Sequence, residues 1–116
     1  MDKFTKRELK ENYKNRAVVG GVYCIKCNAN DRMWIKSTKD MKGQKNKFAY
    51  SISTNSCLEP QMYQEWNQYG AESFSFVILE EIKKGETQTE LEFTEDIGIL
   101  LEMWIENLKK DLERGR

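Results

Sequence analysis

The sequence of 116 residues predicts a single α/β domain, in which a small three-stranded β-sheet is flanked by helices and a long helix lies at the C-terminus. Two strand-like segments, 21–27 and 32–38, are joined by the polar turn Asn28-Ala29-Asn30-Asp31. A third segment, 73–81, is apolar on both sides, and helical patterns with capping residues precede and follow it. This length is typical of one domain, and we expect residues 1–19 to form a helical extension of a core at 20–106.

Composition excludes several classes of protein. No apolar run reaches the 18 residues that a transmembrane helix needs, and the charged N-terminus lacks the apolar region of a secretory signal, so we expect a cytoplasmic protein. Three cysteines are an odd number and a poor disulfide framework. The net charge of zero hides an asymmetry, because residues 1–47 carry a net charge of +8, residues 48–79 of −3 and residues 80–116 of −5. This pattern is typical either of a basic face that meets an anionic partner or of two solvated faces of opposite charge.

The N-terminal segment predicts a helix that begins at Thr5. Thr5 and Glu8 have the spacing of a capping box, and Phe4 and Leu9 that of a hydrophobic staple. We expect this helix to end near Arg16.

The second strand alternates in character, and its two faces differ. Arg32, Trp34, Lys36 and Thr38 fall on one face, which is therefore polar with one large aromatic side chain. Such a face is either an exposed side of the sheet or part of a site. After this strand we expect only a short helical turn near 39–46.

The following polar stretch, residues 48–52, predicts irregular or weakly extended structure. Ser56 and Glu59 then have the spacing of a second capping box, which predicts a helix over 57–69 that ends at Gly70. The expected apolar stripe of this helix consists of Leu58, Met62, Trp66 and Tyr69.

The strand over 73–81 is expected to be the central one, because it has apolar residues on both sides. A third capping box, Thr87 with Glu90, opens the last helical region. Residues 97–105 of that region are apolar on almost every side, with Glu102 their only charge. The surplus of apolar residues predicts burial by more than one neighbour, either within the domain or in a homodimer formed through the C-terminal helix.

Cys24 and Cys27 form a CxxC pair on the first strand. Residues three apart on a strand face opposite sides, and a structural zinc site needs four ligands in a chain that has no histidine. We therefore interpret these cysteines as packing residues.

A basic run follows the second strand and is interrupted only by Asp40. Its lysines, together with Arg32 on the strand, are the candidate nucleic-acid-binding residues: Arg32, Lys36, Lys39, Lys42, Lys45 and Lys47. Lysines with neighbouring aromatic residues suit the backbone of a nucleic acid, although a solvated lysine-rich loop has the same composition.

Four sequence blocks over residues 20–106 resemble the GIY-YIG nuclease superfamily: Gly21-Val22-Tyr23, Trp34-Ile35-Lys36, the segment YQEWNQYG at 63–70 and the segment FSFVILEEI at 74–82. The resemblance implies a three-stranded sheet with flanking helices and the cleavage of DNA phosphodiesters with one divalent metal. It also implies a tyrosine on each of the first two strands, an arginine on the next helix and a metal-binding glutamate on the last helix. Positioning and charge neutralisation by these groups suit phosphoryl transfer.

Carried onto this chain, the resemblance places the catalytic positions at Tyr23, Trp34, Gln44 and, for the metal ligand, at Leu101 or its neighbour Glu102. Trp34 stands where a tyrosine is expected, and an indole N–H is only a donor and cannot act as a base. Lys36 stands in the position of the motif glycine, and Gln44 in that of the arginine. The resemblance therefore implies a degenerate family member that has lost metal-dependent hydrolysis.

Three functional hypotheses follow, and we rank them in this order. The first is a degenerate nuclease-like protein that binds DNA without cutting it. The second is an interaction module that dimerises or binds another protein through its C-terminal helix. The third is a divergent, Mg²⁺-dependent endonuclease with Tyr23 as base and Glu102 as metal ligand.

Overall fold

The structure, a computed structural model, describes residues 18–114, with side chains described through residue 110. The N-terminal helix predicted to begin at Thr5 lies outside the described residues. Within them, the strands are β1 (Val19–Cys27), β2 (Arg32–Thr38) and β3 (Phe74–Lys83), and the α-helices are α1 (Met41–Thr54), α2 (Tyr63–Tyr69) and α3 (Glu90–Arg114). The predicted class, a three-stranded α/β fold with a long C-terminal helix, is confirmed.

The sheet is antiparallel with the strand order β2-β1-β3, so that β1 is the central strand. The prediction that β3 is central is wrong. Strand β1 is buried along most of its length, whereas the side chains of Val77 and Ile78 on β3 are 38% and 39% exposed. Apolar residues on both faces of β3 therefore reflect an edge strand that is only partly covered. A bulge in β3 opposite Val22 and Tyr23 also interrupts the alternation of its side chains between the two faces of the sheet.

Helices cover both faces of the sheet. Tyr23, Ile25 and Cys27 alternate along β1 and pack with α1 and α2 in one core cluster, whose other buried members are Trp34, Met41, Met62, Trp66 and Phe74. Val22 and Cys24 point to the other face.

Helix α3 covers that second face. Its residues Phe93 and Ile97 are buried. The indole of Trp104 donates a hydrogen bond to Glu80, which lies opposite Val22 in the β-ladder. The sheet therefore separates α3 from α1 and α2.

Helix α1 replaces the short turn and the irregular stretch that the polar sequence predicts. It is 14 residues long and begins after Asp40, whose side chain accepts a hydrogen bond from the backbone N–H of Gly43. Met41, Phe48 and Ile52 recur at helical spacing and pack on the core. Because α1 has so few apolar residues, its sequence shows no evident amphipathic pattern. Packing on the sheet is what stabilises this helix.

The helix predicted over 57–69 is shorter than expected. Glu59 is extended, with φ −120° and ψ 122°, and a 3₁₀ turn over Pro60–Met62 leads into α2. A residue that precedes proline is disfavoured in the helical region, so the capping box predicted for Ser56 and Glu59 does not form. Met62 and Trp66 are buried as predicted, Leu58 and Tyr69 are exposed, and Gly70 ends the helix as expected.

Helix α3 is capped two residues later than predicted. The Thr89 hydroxyl accepts a hydrogen bond from the N–H of Glu92, whose carboxylate accepts one from the N–H of Thr89. At the predicted start, residues 85–88 instead form a turn, in which the Gln88 side chain accepts a hydrogen bond from the N–H of Gly85.

Burial of α3 is less complete than the apolar segment 97–105 predicts. The side chains of Ile99 and Met103 are 57% and 55% exposed, although Ile97 is buried. No helix in the described part of the chain combines the length and apolarity needed to cross a membrane.

Candidate nucleic-acid-binding groove

An open groove of about 680 Å³ lies between the sheet and α1. We call it the Tyr23 groove. Two predicted catalytic positions, Tyr23 and Gln44, line it together with Lys36, Lys47 and Tyr50. Thus residues of β1, β2 and α1 that are far apart in sequence meet at one surface.

Tyr23 is held rigidly at the base of this groove. Its side chain is only 4% exposed, its ring stacks on Phe76 at a centroid distance of 4.7 Å, and its hydroxyl donates a hydrogen bond to Gln44 Oε1 at 3.2 Å. Burial, and then the negative charge of Glu59, raise the pKa of the Tyr23 hydroxyl above its ordinary value of 10. At neutral pH Tyr23 is therefore a hydrogen-bond donor, and its environment opposes the phenolate form.

Lys36 faces Tyr23 across the β1–β2 ladder, and its charge is paired. Its Nζ atom lies 3.2 Å from Oε1 of Glu59, and the two side chains are 26% and 35% exposed. Glu59 is a groove residue that the sequence interpretation missed, because its spacing from Ser56 suggested a helix cap. No local pattern signals its position, which depends on the fold bringing residues 36 and 59 together.

Trp34 belongs to the core and does not line the groove. Its side chain is 9% exposed and stacks on Phe74 at a centroid distance of 6.0 Å. The polar face predicted for β2 is therefore covered by α2 at Trp34. The guanidinium of Arg32 lies 5.1 Å from the Trp34 ring centroid.

Arg32 is engaged by an acidic partner. Its Nη1 atom contacts Oε2 of Glu65 at 2.8 Å. This hydrogen bond is the main reason that the pKa of the Glu65 carboxyl lies below its ordinary value. Arg32 thus anchors the start of β2 to α2.

Three lysines on α1 form a basic surface beside the groove. Lys42, Lys45 and Lys47 are exposed and make no ion pair with any side chain of the range 18–110, whereas Lys39 lies 3.4 Å from Glu90. We call the three the α1 lysine surface. Lys42 and Lys45 line a second open depression of about 870 Å³. Gly43 and Asn46 line both this depression and the Tyr23 groove, so the two are contiguous.

Comparisons with known proteins show the fold. No model of a known protein family matches the chain, and no curated protein matches it. Among solved structures, it is similar to a glutamate-to-alanine variant of the catalytic domain of the intron endonuclease I-TevI, a GIY-YIG enzyme, with a TM-score of 0.56 and 21% identity over 81% of this chain and 88% of the other. The chain has the GIY-YIG fold. The fold that the resemblance implied is thereby confirmed.

The GIY-YIG fold implies a divalent metal, but the side chains at the groove do not fit one. Glu102, the predicted metal ligand, is exposed on α3, on the opposite side of the sheet from Tyr23. Glu59 lies in the groove but is paired with Lys36. Among the side chains of residues 18–110, no group of three or more Asp, Glu, Cys or His is arranged to hold a metal ion. Apart from Glu59, the groove offers cations and neutral donors, which suit the binding of an anion.

Proposed function

We propose that this protein binds DNA along the Tyr23 groove and the α1 lysine surface and does not cleave it. The observation that carries the proposal is the set of exposed lysines on α1, with Lys47 in the Tyr23 groove and Lys42 and Lys45 in the depression next to it, in a fold shared with an intron endonuclease. Lysines of this kind neutralise phosphates and release counterions, which supplies affinity without sequence specificity.

The loss of cleavage is supported by three positions. Trp34 replaces a titratable tyrosine and is packed in the core. Gln44, neutral, accepts the Tyr23 hydrogen bond where the resemblance places a cation. The predicted metal ligand Glu102 is separated from Tyr23 by the sheet, which also weighs against the hypothesis of a divergent Mg²⁺-dependent nuclease.

The test is a salt-dependent DNA titration with a matched pair of variants. Lys42→Glu/Lys45→Glu reverses two charges of the α1 lysine surface, whereas Lys109→Glu/Lys110→Glu makes the same charge change at exposed positions on α3. We expect the α1 variant to lose about tenfold or more in affinity. The plot of log K against log [salt] should also become shallower, its negative slope losing about 2 in magnitude, since each phosphate contact contributes roughly 0.9. Equal losses in both variants would show that only the overall charge matters and would contradict the proposed surface.

Self-association through α3 is a second candidate function. Ile99 and Met103 lie one turn apart on the same side of α3 and are more than half exposed. Exposed acidic side chains surround them, namely Glu95, Asp96, Glu102 and Glu106. A symmetric pair of α3 helices would bring these acids together, so we expect any dimer to be stabilised by salt.

Light scattering at low and high salt tests this candidate. A dimer of this kind doubles the mass at high salt, and Met103→Glu restores the monomer. A monomeric mass at both salt concentrations and at high protein concentration would exclude it.

We also propose the cytoplasm as the compartment in which the protein works. Cys24, Cys27 and Cys57 are free thiols, which suits a reducing compartment.

A further inference from the structure

Glu59 places a carboxylate inside a groove that otherwise presents cations and neutral donors. Its Oε1 atom forms an ion pair with Lys36 Nζ at 3.2 Å and accepts a hydrogen bond from Gln61 Nε2 at 3.2 Å. Beside it lie Tyr23 and Lys47, which line the same groove. The carboxylate therefore stands where a phosphate oxygen would sit if Lys36 bound DNA.

The backbone of Glu59 is fixed, so only a movement of its side chain can separate the carboxylate from Lys36. The Glu59 carbonyl accepts hydrogen bonds from the N–H of Met62 at 3.0 Å and from the Cys57 thiol at 3.3 Å. Pro60 restricts Glu59 to extended backbone angles. A rotation of the Glu59 side chain would release Lys36 without moving the loop.

We infer that Glu59 is a built-in competitor of phosphate for Lys36, so that a nucleic acid must displace this carboxylate to occupy the Tyr23 groove. The inference rests on the proposed DNA-binding function and adds a regulatory contact to the same site. The Lys36–Glu59 contact is a close ion pair between two partly buried side chains, and it is open enough to solvent to remain weak and to exchange. Lys42, Lys45 and Lys47 hold the DNA in either state, and Lys36 adds a further contact only when Glu59 leaves.

Glu59→Gln tests the competition, because it removes the charge while keeping the shape of the side chain. We expect DNA affinity to rise by roughly fivefold, the factor for loss of a partly exposed ion pair. Glu72→Gln is the matched control, since Glu72 is an exposed acid that lines neither the groove nor the depression and has no ion pair with any side chain described up to residue 110. We expect a change of less than about twofold there, because screening weakens long-range charge effects.

A variant of Lys36 makes the test specific to the pair. In a Lys36→Met background, Glu59→Gln should leave the affinity unchanged, since the group for which Glu59 competes is gone. An effect of Glu59→Gln that equals that of Glu72→Gln, or that persists in the Lys36→Met background, would overturn the inference while leaving the proposed DNA binding intact.

If neither the wild-type protein nor Glu59→Gln binds DNA, the proposed function fails and inorganic phosphate becomes the probe. NMR of the Lys36 side chain should then show a phosphate-dependent shift in Glu59→Gln that is stronger than in the wild type. Equal responses of the two proteins would overturn the competition as well.

Discussion

The hydroxyl of Tyr23 donates a hydrogen bond to the side-chain oxygen of Gln44, with 3.2 Å between the two atoms. This contact joins the central strand to α1 at the base of the groove. Because Gln44 accepts through its oxygen, its amide N–H groups remain available as donors. A neutral tyrosine and a neutral amide thus occupy positions at which the GIY-YIG resemblance implies a base and a cation.

The Tyr23 environment predicts a decrease in stability at alkaline pH. Since the folded-state pKa of Tyr23 lies above its ordinary value of 10, its neutral form is favoured on folding. The contribution of Tyr23 to the free energy of unfolding is fully present below about pH 10, and it is lost as the pH rises through the folded-state pKa. Urea midpoints measured from about pH 8 to about pH 11 should fall more steeply for the wild type than for Tyr23→Phe. Parallel curves of urea midpoint against pH would contradict this. Cysteine ionisation affects both proteins alike, so it cannot account for a difference between the two curves.

The capping box at Thr89 predicts that alanine substitution lowers the free energy of unfolding more at Thr89 than at Thr87. Thr89→Ala removes the hydroxyl that accepts from Glu92 and should reduce the free energy of unfolding by about 1 kcal/mol. Thr87→Ala, at the cap position that the sequence suggested, should change it by less than about 0.5 kcal/mol, as expected for an exposed site without such a contact. Chemical denaturation compares the two, and a larger effect at Thr87 would contradict the observed start of α3.

Trp34 should behave as a core residue and not as a binding residue. Trp34→Ala leaves a cavity beside Phe74 and should cost about 3–5 kcal/mol of stability. Trp34→Phe keeps most of the packing, so its DNA affinity should stay within about twofold of the wild type, a change of about 0.4 kcal/mol. A folded Trp34→Phe protein with clearly weakened DNA binding would place Trp34 in the site.

The Arg32–Glu65 pair predicts a loss of stability in acid. Because Arg32 lowers the folded-state pKa of Glu65, the pair stabilises the protein above the ordinary carboxyl pKa of 4.5, and this contribution is lost as the pH falls through the lowered value. Arg32→Met should lower the urea midpoint at pH 7 and flatten its decline toward acid pH. Glu65 Oε1 already lacks a hydrogen-bond partner among the described residues, so the buried carboxylate depends chiefly on Arg32.

Lys26→Met is the control for that pair. Lys26 lies 3.7 Å from Asp31, which is 84% exposed, in the same β1–β2 region. Exposed ion pairs contribute little, so this variant should follow the wild-type pH dependence. A similar flattening in both variants would contradict a special role for Arg32.

Much of the fold follows from local patterns in the sequence. The β2 boundaries, the turn after β1 and the end of α2 at Gly70 depend on alternation and on turn residues, and the structure confirms them. Helix α1 could not be predicted in full, because its few apolar residues become informative only when they pack on the sheet. The centre of the sheet was misassigned because the apolar pattern of β3 does not reveal which neighbours cover it.

The site was predictable only where a family pattern exists. The resemblance to GIY-YIG nucleases predicts Tyr23, Lys36 and Gln44 as site positions, and the structure brings them to one groove. Glu59 was not selected, because its contact with Lys36 joins residues 23 positions apart through the tertiary fold. Conversely, Glu102 was selected by its proximity in sequence to the expected metal ligand, and the sheet separates it from Tyr23.

The most direct test of DNA binding without cleavage reads both properties in one sample. Labelled duplex DNA is titrated with the wild-type protein at about 50 mM salt, where phosphate contacts are strong, in the presence of Mg²⁺. Binding is followed by fluorescence anisotropy, and strand length is then measured on a denaturing gel. We predict saturable binding that weakens steeply with added salt and DNA strands that remain intact. Absence of binding at low salt, or strand breaks that disappear in Tyr23→Phe, would contradict this function.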